Sequence, residues 1–305
     1  MTRRRNKRRI DGVLFLDKPQ GLTSNGALQR SRRLLEAAKA GHTGTLDPMA
    51  TGLLPLTFGE ATKFSRMLLD ADKEYVAQLC FGSETDTGDA EGTVCATFPG
   101  GDAVTMAALE AILPRFRGEI EQIPPMHSAL KRDGKPLYEY ARAGIEVERA
   151  PRAVTVHEIE VLECTPGRAE LRVACSKGTY IRTLAQDIGR ALGCGAHLTA
   201  LRRTAIGPFR SDAAVALETL ETASLEARDA LLAPVDSLVA NLPEITLEDD
   251  GATRLLQGAT PPVRHAPCEA IRVYGPGRSF LGLARVCEEA RLIPLRLIST
   301  VAYDA

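Results

Sequence analysis

The segment from Gly41 to Gly59, GHTGTLDPMATGLLPLTFG, constrains the fold of this chain more than any other, because it holds four glycines and two prolines. Glycine opens backbone conformations closed to other residues and proline fixes φ and removes a donor, so no long helix can run through it. The composition predicts a looped segment with short extended pieces. Asp47 lies inside it, directly before Pro48, whose ring biases Asp47 away from helical geometry. Taken locally, an aspartate there can be an Asx-turn or a helix cap. A phosphate-binding loop is ruled out, since G-x-x-x-x-G-K-[ST] is absent.

Around this segment the apolar pattern alternates between strands and helices. Gly12 to Asp17 reads as a buried strand closed by the Lys18-Pro19-Gln20-Gly21 turn. Thr23 or Ser24 can cap a following helix, whose stripe of Ala27, Leu28, Ser31, Leu34, Leu35 and Ala38 predicts an end near Ala40. Glu74 to Phe81 reads as a strand with a turn over Gly82 to Gly92, and Thr105 to Phe116 as a helix. Ile123 to Arg142 is polar, basic and turn-rich, and its length predicts an insertion that projects from the core. Val154 to Leu162 and Ala169 to Cys175 should pair, and Thr179 to Leu192 should form a helix whose start carries Tyr180 and Arg182. Composition shifts near Pro243, beyond which short strand-like runs suggest a compact β unit of about sixty residues.

Without tryptophan, the core must be mainly aliphatic. The seven cysteines are scattered and never spaced as C-x-x-C, so they read as reduced thiols, mostly small buried apolar residues, of a cytoplasmic protein. Neither they nor the five histidines offer metal-ligand spacing, and no dinucleotide fingerprint occurs; no metal or organic cofactor is expected. Met1 to Arg9 carries six basic residues, but the apolar run after it is too short for a signal sequence or membrane span. Residues 10–305 sum to −7, so affinity for nucleic acid must come from local asymmetry. Lys177 to Arg210 supplies it, with six basic residues against Asp187 alone, although such runs also arise as solvated helix faces.

The wider pattern GHTGTLDPMATGLLPLTFGEATKFS resembles the catalytic segment of TruB-type tRNA pseudouridine synthases. Further segments resemble the family in the same order: GVLFLDKPQGLTS, DKEYVAQLCFGSETDTGDAEG, IPPMHSALKRDGKPLYEYARAG, SKGTYIRTLAQDIG and CGAHLTALRRTAIGPF. The resemblance spans roughly residues 11 to 240, and the last sixty residues are similar to the family's small PUA-like RNA-binding domain. It implies an α+β pseudouridine-synthase fold with a central mixed, largely antiparallel sheet flanked by helices and loops, plus a small C-terminal β domain. The implied division is a basic flexible tail over 1–10, a catalytic domain over 11–243 with an RNA-clamping insertion at about 123–152, and a PUA-like domain over 244–305.

The same resemblance implies isomerisation of a T-arm uridine of tRNA, position 55, to pseudouridine without cofactor or obligate protein partner. Asp47 corresponds to the catalytic aspartate, Arg182 to the arginine that pairs with it and Tyr180 to the tyrosine beside sugar and base. Tyr75 matches the residue that stacks on the target uracil, His42 the residue that fills the vacancy left by the extruded nucleotide, and Leu201 an apolar wall of the pocket. Lys18 should help hold the loop or the RNA, and Arg202 and Arg203 should meet phosphates. Two other functions fit the same residues: a tRNA-folding chaperone without chemistry, and a hydrolase that would release free uracil.

Overall fold

Two apolar strands and the turns between them set the frame of the molecule, seen in a computed structural model that describes residues 7–299. The first, β1 (Gly12–Lys18), is buried at Val13, Leu14 and Leu16, on both faces, as an apolar run without strict alternation requires. Thr23 then caps α1 (Ser24–Leu34), its hydroxyl accepting from the Gly26 N–H at 2.9 Å. The helix ends before the predicted Ala40. Glu36 turns left-handed at φ 53°, Leu35 and Ala37 enter the core from that turn, and the chain leaves as β2 (Ala40–His42).

The second half of the Gly/Pro-rich segment is a full central strand, β3 (Thr51–Phe58), where a loop with short extended pieces was expected; seven of its eight residues are buried. Pro55 is tolerated there for a visible reason. Its carbonyl accepts from Thr43 N–H at 3.2 Å, so its donor-less nitrogen faces the same side. On that side β3 pairs with β2 only at Leu56 to Phe58 and with a later strand only at Thr51 and Gly52, leaving Pro55 in a gap of the ladder.

The chain continues through α2 (Ser65–Leu69), β4 (Lys73–Phe81), the short pair β5 (Ser83–Thr85) and β6 (Val94–Thr97), α3 (Met106–Ile112) and β7 (Gly118–Gln122). The insertion follows, with only β8 (Lys131–Arg132), β9 (Lys135–Pro136) and α4 (Leu137–Arg142) as regular elements. Arg149 ties its two ends by donating to Pro124 O at 3.1 Å. Next come β10 (Arg152–Thr165), β11 (Arg168–Cys175), α5 (Ile181–Ala191), β12 (Ala196–Ile206), β13 (Phe209–Arg210) and β14 (Val215–Ala216).

The main sheet runs β14-β1-β3-β12-β4-β11-β10-β7, with β2 and β13 paired at its side. Only β1 with β14 and β3 with β12 are parallel; every other pair is antiparallel, which is the mixed, largely antiparallel sheet that was expected. Its core is aliphatic, with Leu14, Leu54, Leu56, Leu79, Val173, Ile188 and Leu198 all at 1% exposure or less.

A second sheet, β15 (Glu244–Thr246), β16 (Cys268–Tyr274), β17 (Phe280–Val286) and β18 (Leu292–Leu297), encloses its own core around Leu255, Ile271 and Val273. It docks on the main body through Leu283, which packs with Val13, Leu53 and Phe64, and through a Tyr274 hydroxyl that donates to Asp236 at 2.5 Å. No described helix is long and apolar enough to cross a membrane.

Two expectations change. Of the seven cysteines only Cys175 and Cys194 are buried, while Cys95 is exposed and the others are half-buried. Residues 1–6 of the expected flexible tail lie outside the described residues, but Arg8 is held, with Asp229 accepting from its guanidinium at 2.7 and 2.9 Å.

The parallel contact of β3 with β12 depends on Gly52, which adopts φ 100° opposite Arg203. A Cβ there would overlap the Arg203 carbonyl oxygen and lie 2.8 Å from its nitrogen. Gly52→Ala should therefore destabilise the protein by about 2 kcal/mol or more through strain and displacement of β12. A shift of the urea unfolding midpoint measures this; an unchanged midpoint would show that the contact is not structurally demanding.

Candidate active site

Asp47 sits in the loop between β2 and β3, and that loop is fixed from both sides. Ser24, at the start of α1, accepts from Leu46 N–H at 2.7 Å and donates to Leu46 O at 3.1 Å. On the other side Gly21 N–H donates to Pro48 O at 2.8 Å. Lys18, wholly buried at the end of β1, donates its ammonium to Pro19 O, Leu22 O and Pro48 O at 3.0, 2.6 and 3.4 Å. Burial pulls the Lys18 pKa down to about 8, against the pull of the Asp47 charge. Lys18 thus holds the loop, and its burial leaves no surface for RNA.

The Asp47 carboxylate meets Arg182, near the start of α5, at 3.0 Å. Arg182 is 5% exposed and fully engaged: Nε faces Asp47, one terminal nitrogen donates to Thr87 O at 2.8 Å and the other to His127 O at 2.7 Å. A second carboxylate, Asp89, lies 3.8 Å from the same Nε and is itself fixed by the Thr87 hydroxyl at 2.7 Å and Glu91 N–H at 3.0 Å. Beside this pair Tyr180 caps α5, its backbone clamped by the Gln122 side chain, which accepts from Tyr180 N–H at 2.9 Å and donates to its carbonyl at 3.3 Å.

Asp47, Arg182 and Tyr180 line a cleft of about 340 Å³ together with Tyr75, Leu201, Lys73 and Arg203, and among the described residues that line it Asp47 is the sole carboxylate; Asp89 and Gln122 stand behind the wall. The set follows from strand register. Tyr75 on β4 pairs with Arg203 on β12, and Leu201 lies two residues before Arg203, so all three side chains belong to one face.

Burial raises the Asp47 pKa above the ordinary carboxylate range; Arg182 and Lys18 oppose that rise and Asp89 adds to it. Burial likewise raises the phenols of Tyr75 and Tyr180, against Arg203 in the first case and Ser128 and Arg182 in the second. Neither tyrosine is poised as a phenolate at neutral pH.

Of the nine residues singled out in the sequence, Asp47, Tyr180, Arg182, Tyr75, Leu201 and Arg203 converge on the cleft, and Lys18, His42 and Arg202 do not line it. His42 ends β2, half-buried, with its Nδ1 sequestered and unpartnered and its pKa lowered by burial. Arg202 points to the opposite face of β12 from its neighbours and forms a two-pronged pair with Asp17 at 2.8 and 3.0 Å. Arg203 is 1% exposed and donates to Leu53 O at 2.8 Å, so its place in a basic run does not make it a phosphate contact. The remaining cations of that run are also paired: Lys177 with Asp70, Arg190 with Glu84 and Arg210 with Glu74. Asp89, Gln122 and Lys73 were missed by sequence reasoning, because an acid in a polar turn, a glutamine ending an edge strand and a lysine starting a strand carry no local mark of a cleft.

Residues 32–181 match the TruB family pseudouridylate synthase N-terminal domain, 182–240 the tRNA pseudouridylate synthase B C-terminal domain, and 243–298 the C-terminal domain of pseudouridine synthase II TruB. A tRNA pseudouridine synthase B of Aromatoleum aromaticum is 62% identical over 302 residues, covering 98% of this chain and 96% of the relative. The chain belongs to the TruB family. A namesake from an Azoarcus species is 59% identical, covering 98% of this chain and 99% of its own length. Among solved structures, a chain of a Cbf5-Nop10-Gar1 complex superposes with a TM-score of 0.69 at 28% identity, over 94% of this chain and 84% of that one. The family resemblance read from the sequence therefore holds, and a TruB pseudouridylate synthase is an isomerase.

If the ionised form of Asp47 is the active one, its raised pKa fixes the sign of the pH dependence. Activity should be full above the folded-state pKa and fall as pH drops through it, with a midpoint above that of an ordinary aspartate. Single-turnover rates across an acid pH series, with RNA binding measured in parallel, check this; an acid limb at the ordinary carboxylate position would show that desolvation does not govern Asp47.

Proposed function

We propose that this TruB-family chain isomerises the uridine at position 55 in the T-arm of tRNA to pseudouridine, with Asp47 as the essential carboxylate. The observation that carries the proposal is the Asp47–Arg182 pair at 3.0 Å, in which Asp47 is, among the described residues, the sole carboxylate of a cleft walled by Tyr75, Tyr180 and Leu201. Relatives named tRNA pseudouridine synthase B support the choice of RNA.

The reaction breaks the C1′–N1 bond, turns the base, and forms C1′–C5; the C5 proton leaves and N1 gains one, so nothing is released and RNA mass is unchanged. A cleft of this size takes one nucleotide, which must be extruded from the folded T-arm to reach Asp47. Tyr75 offers a flat face for the uracil, Leu201 an apolar wall, and Arg182 keeps Asp47 oriented and charged against its own burial. Asp47 can act by attack at C6 of the base or by promoting elimination to a glycal that is re-added through carbon; the same residues serve both. Tyr180 lies where a proton must be moved, as a neutral phenol. His42, with its pKa lowered by burial, is neutral and suited to stack into the vacated position in the RNA.

Phosphate contacts are assigned to the insertion, whose Lys131, Arg132 and Arg142 are exposed, and the small C-terminal sheet is assigned a supporting RNA surface. Lys131→Glu with Arg132→Glu should flatten the dependence of log affinity on log salt by about 1 for each phosphate interaction removed. An unchanged slope would place the RNA elsewhere.

The decisive variant is Asp47→Asn, which keeps shape and turn-forming capacity and removes the charge. It should fold, bind unmodified tRNA about as well as wild type, and form no pseudouridine by chemical mapping of the T-arm. Turnover near the wild-type rate would reduce Asp47 to a turn residue, and release of free uracil by wild type would make the enzyme a hydrolase.

A further inference from the structure

Two cations in the floor of the cleft have no charged partner. Arg203 is 1% exposed and Lys73 9%, and among the described residues no carboxylate oxygen lies within 4 Å of either. Lys73 spends its donors on the carbonyls that end α2, Leu68, Leu69 and Ala71 at 3.3, 2.8 and 2.5 Å. Arg203 donates Nε to Leu53 O, and its Nη2 is buried with no hydrogen-bond partner. Leaving a guanidinium in the interior without a counter-charge is unfavourable, and an apolar side chain of similar volume would be the ordinary occupant of such a position.

Register fixes where this charge sits. Arg203 is the cross-strand partner of Tyr75, and Lys73 precedes Tyr75 by two residues on the same face of β4. Both cations therefore stand beside the tyrosine that the proposed function assigns to the target uracil, with the Arg203 guanidinium next to the Tyr75 phenol. Either route open to Asp47 places negative charge on the base: the electron pair of the broken C1′–N1 bond stays with the uracil, or addition at C6 drives charge toward O4. The charge is transient and returns when N1 is protonated and the C5 proton leaves.

We propose that Arg203, with Lys73 beside it, is an electrostatic positioning residue that stabilises the negative charge carried by the target base, acting from beside Tyr75 rather than by contact with the base. A fixed cation separated from developing charge by protein rather than by bulk water acts more strongly than one in solvent, and it needs no reorganisation when the charge appears. The inference rests on the uridine-isomerising reading of the cleft and adds to it a source of rate that Asp47 and Arg182 do not supply.

The test compares tRNA carrying uridine with tRNA carrying 5-fluorouridine at the target position, since fluorine withdraws electrons and stabilises the base anion by itself. Single-turnover loss of the N-linked nucleoside is read by mass spectrometry after digestion. Arg203→Met should slow uridine by roughly 10²-fold and 5-fluorouridine by only about tenfold, with tRNA affinity held within about twofold. Arg203→Gln is a second neutral variant should the first not fold, and Arg203→Lys, which keeps the charge, should lose the same factor on both substrates. An equal loss on both substrates for the neutral variants would overturn the inference and leave Arg203 a packing residue beside Tyr75. Failure of the underlying reading has a different signature: wild type would then convert neither substrate, whatever stands at residue 203.

Discussion

The guanidinium of Arg182 is the joint on which the site depends. It is almost entirely buried, and its donors reach Asp47 in the β2–β3 loop, Thr87 in the turn after β5, and His127 in the insertion. Four segments far apart in the chain therefore meet at one side chain. A buried charge is tolerated only when its hydrogen bonds and counter-charge are both supplied, and here two carboxylates and two carbonyls supply them. The consequence runs outward as well as inward. Gly88 has φ 77°, and a Cβ there would come within 3.3 Å of the Arg182 Cβ, so even the turn that delivers the Thr87 carbonyl is shaped around the arginine.

Around that joint, the antiparallel pairing of β4 with β12 decides which residues face the cleft. Alternation sends Leu201 and Arg203 to one side and Arg202 to the other, where Asp17 receives it. Two adjacent arginines thus have opposite fates, one in the floor of the cleft and one in a half-exposed ion pair. The parallel contact with β3 sets the height of β12, and it exists because Gly52 allows the backbones to approach. A loop that presents Asp47 and a strand that presents Arg203 are in this way positioned by the same close approach.

What was legible in the sequence follows from the range of the interactions involved. Thr23 as a cap, the β1 strand and the α5 start are local features, and all three stand where the pattern placed them. The end of α1 was misplaced because Leu35 and Ala37 fit a helical stripe yet are buried by a left-handed turn at Glu36. Gly and Pro marked the Asp47 segment as special but hid β3, since Pro55 is compatible with a central strand only where the neighbouring ladder has a gap. The burial of Arg203 and the pairing of Arg202 depend on register across strands that lie more than a hundred residues apart. Nothing in a run of basic residues distinguishes a phosphate contact from a buried cation. Asp89 was invisible for the same reason, since its place beside Arg182 is a product of the tertiary fold alone.

The electrostatics of the cleft then become a balance between desolvation and fixed charge. Burial pushes Asp47 toward its neutral form, and the nearby Asp89 pushes the same way, while Arg182 and Lys18 oppose them. Lys18 is itself weakened by burial, to a pKa of about 8, so the support it gives Asp47 fades as pH rises through that value while that of Arg182 does not. The chain as a whole carries a net charge of −1, and among the described residues lining the cleft Arg182, Lys73 and Arg203 stand with Asp47, while Asp89 lies behind Arg182. The three cations are nearly buried, so their charge bears on what enters the cleft rather than on the outer surface of the molecule.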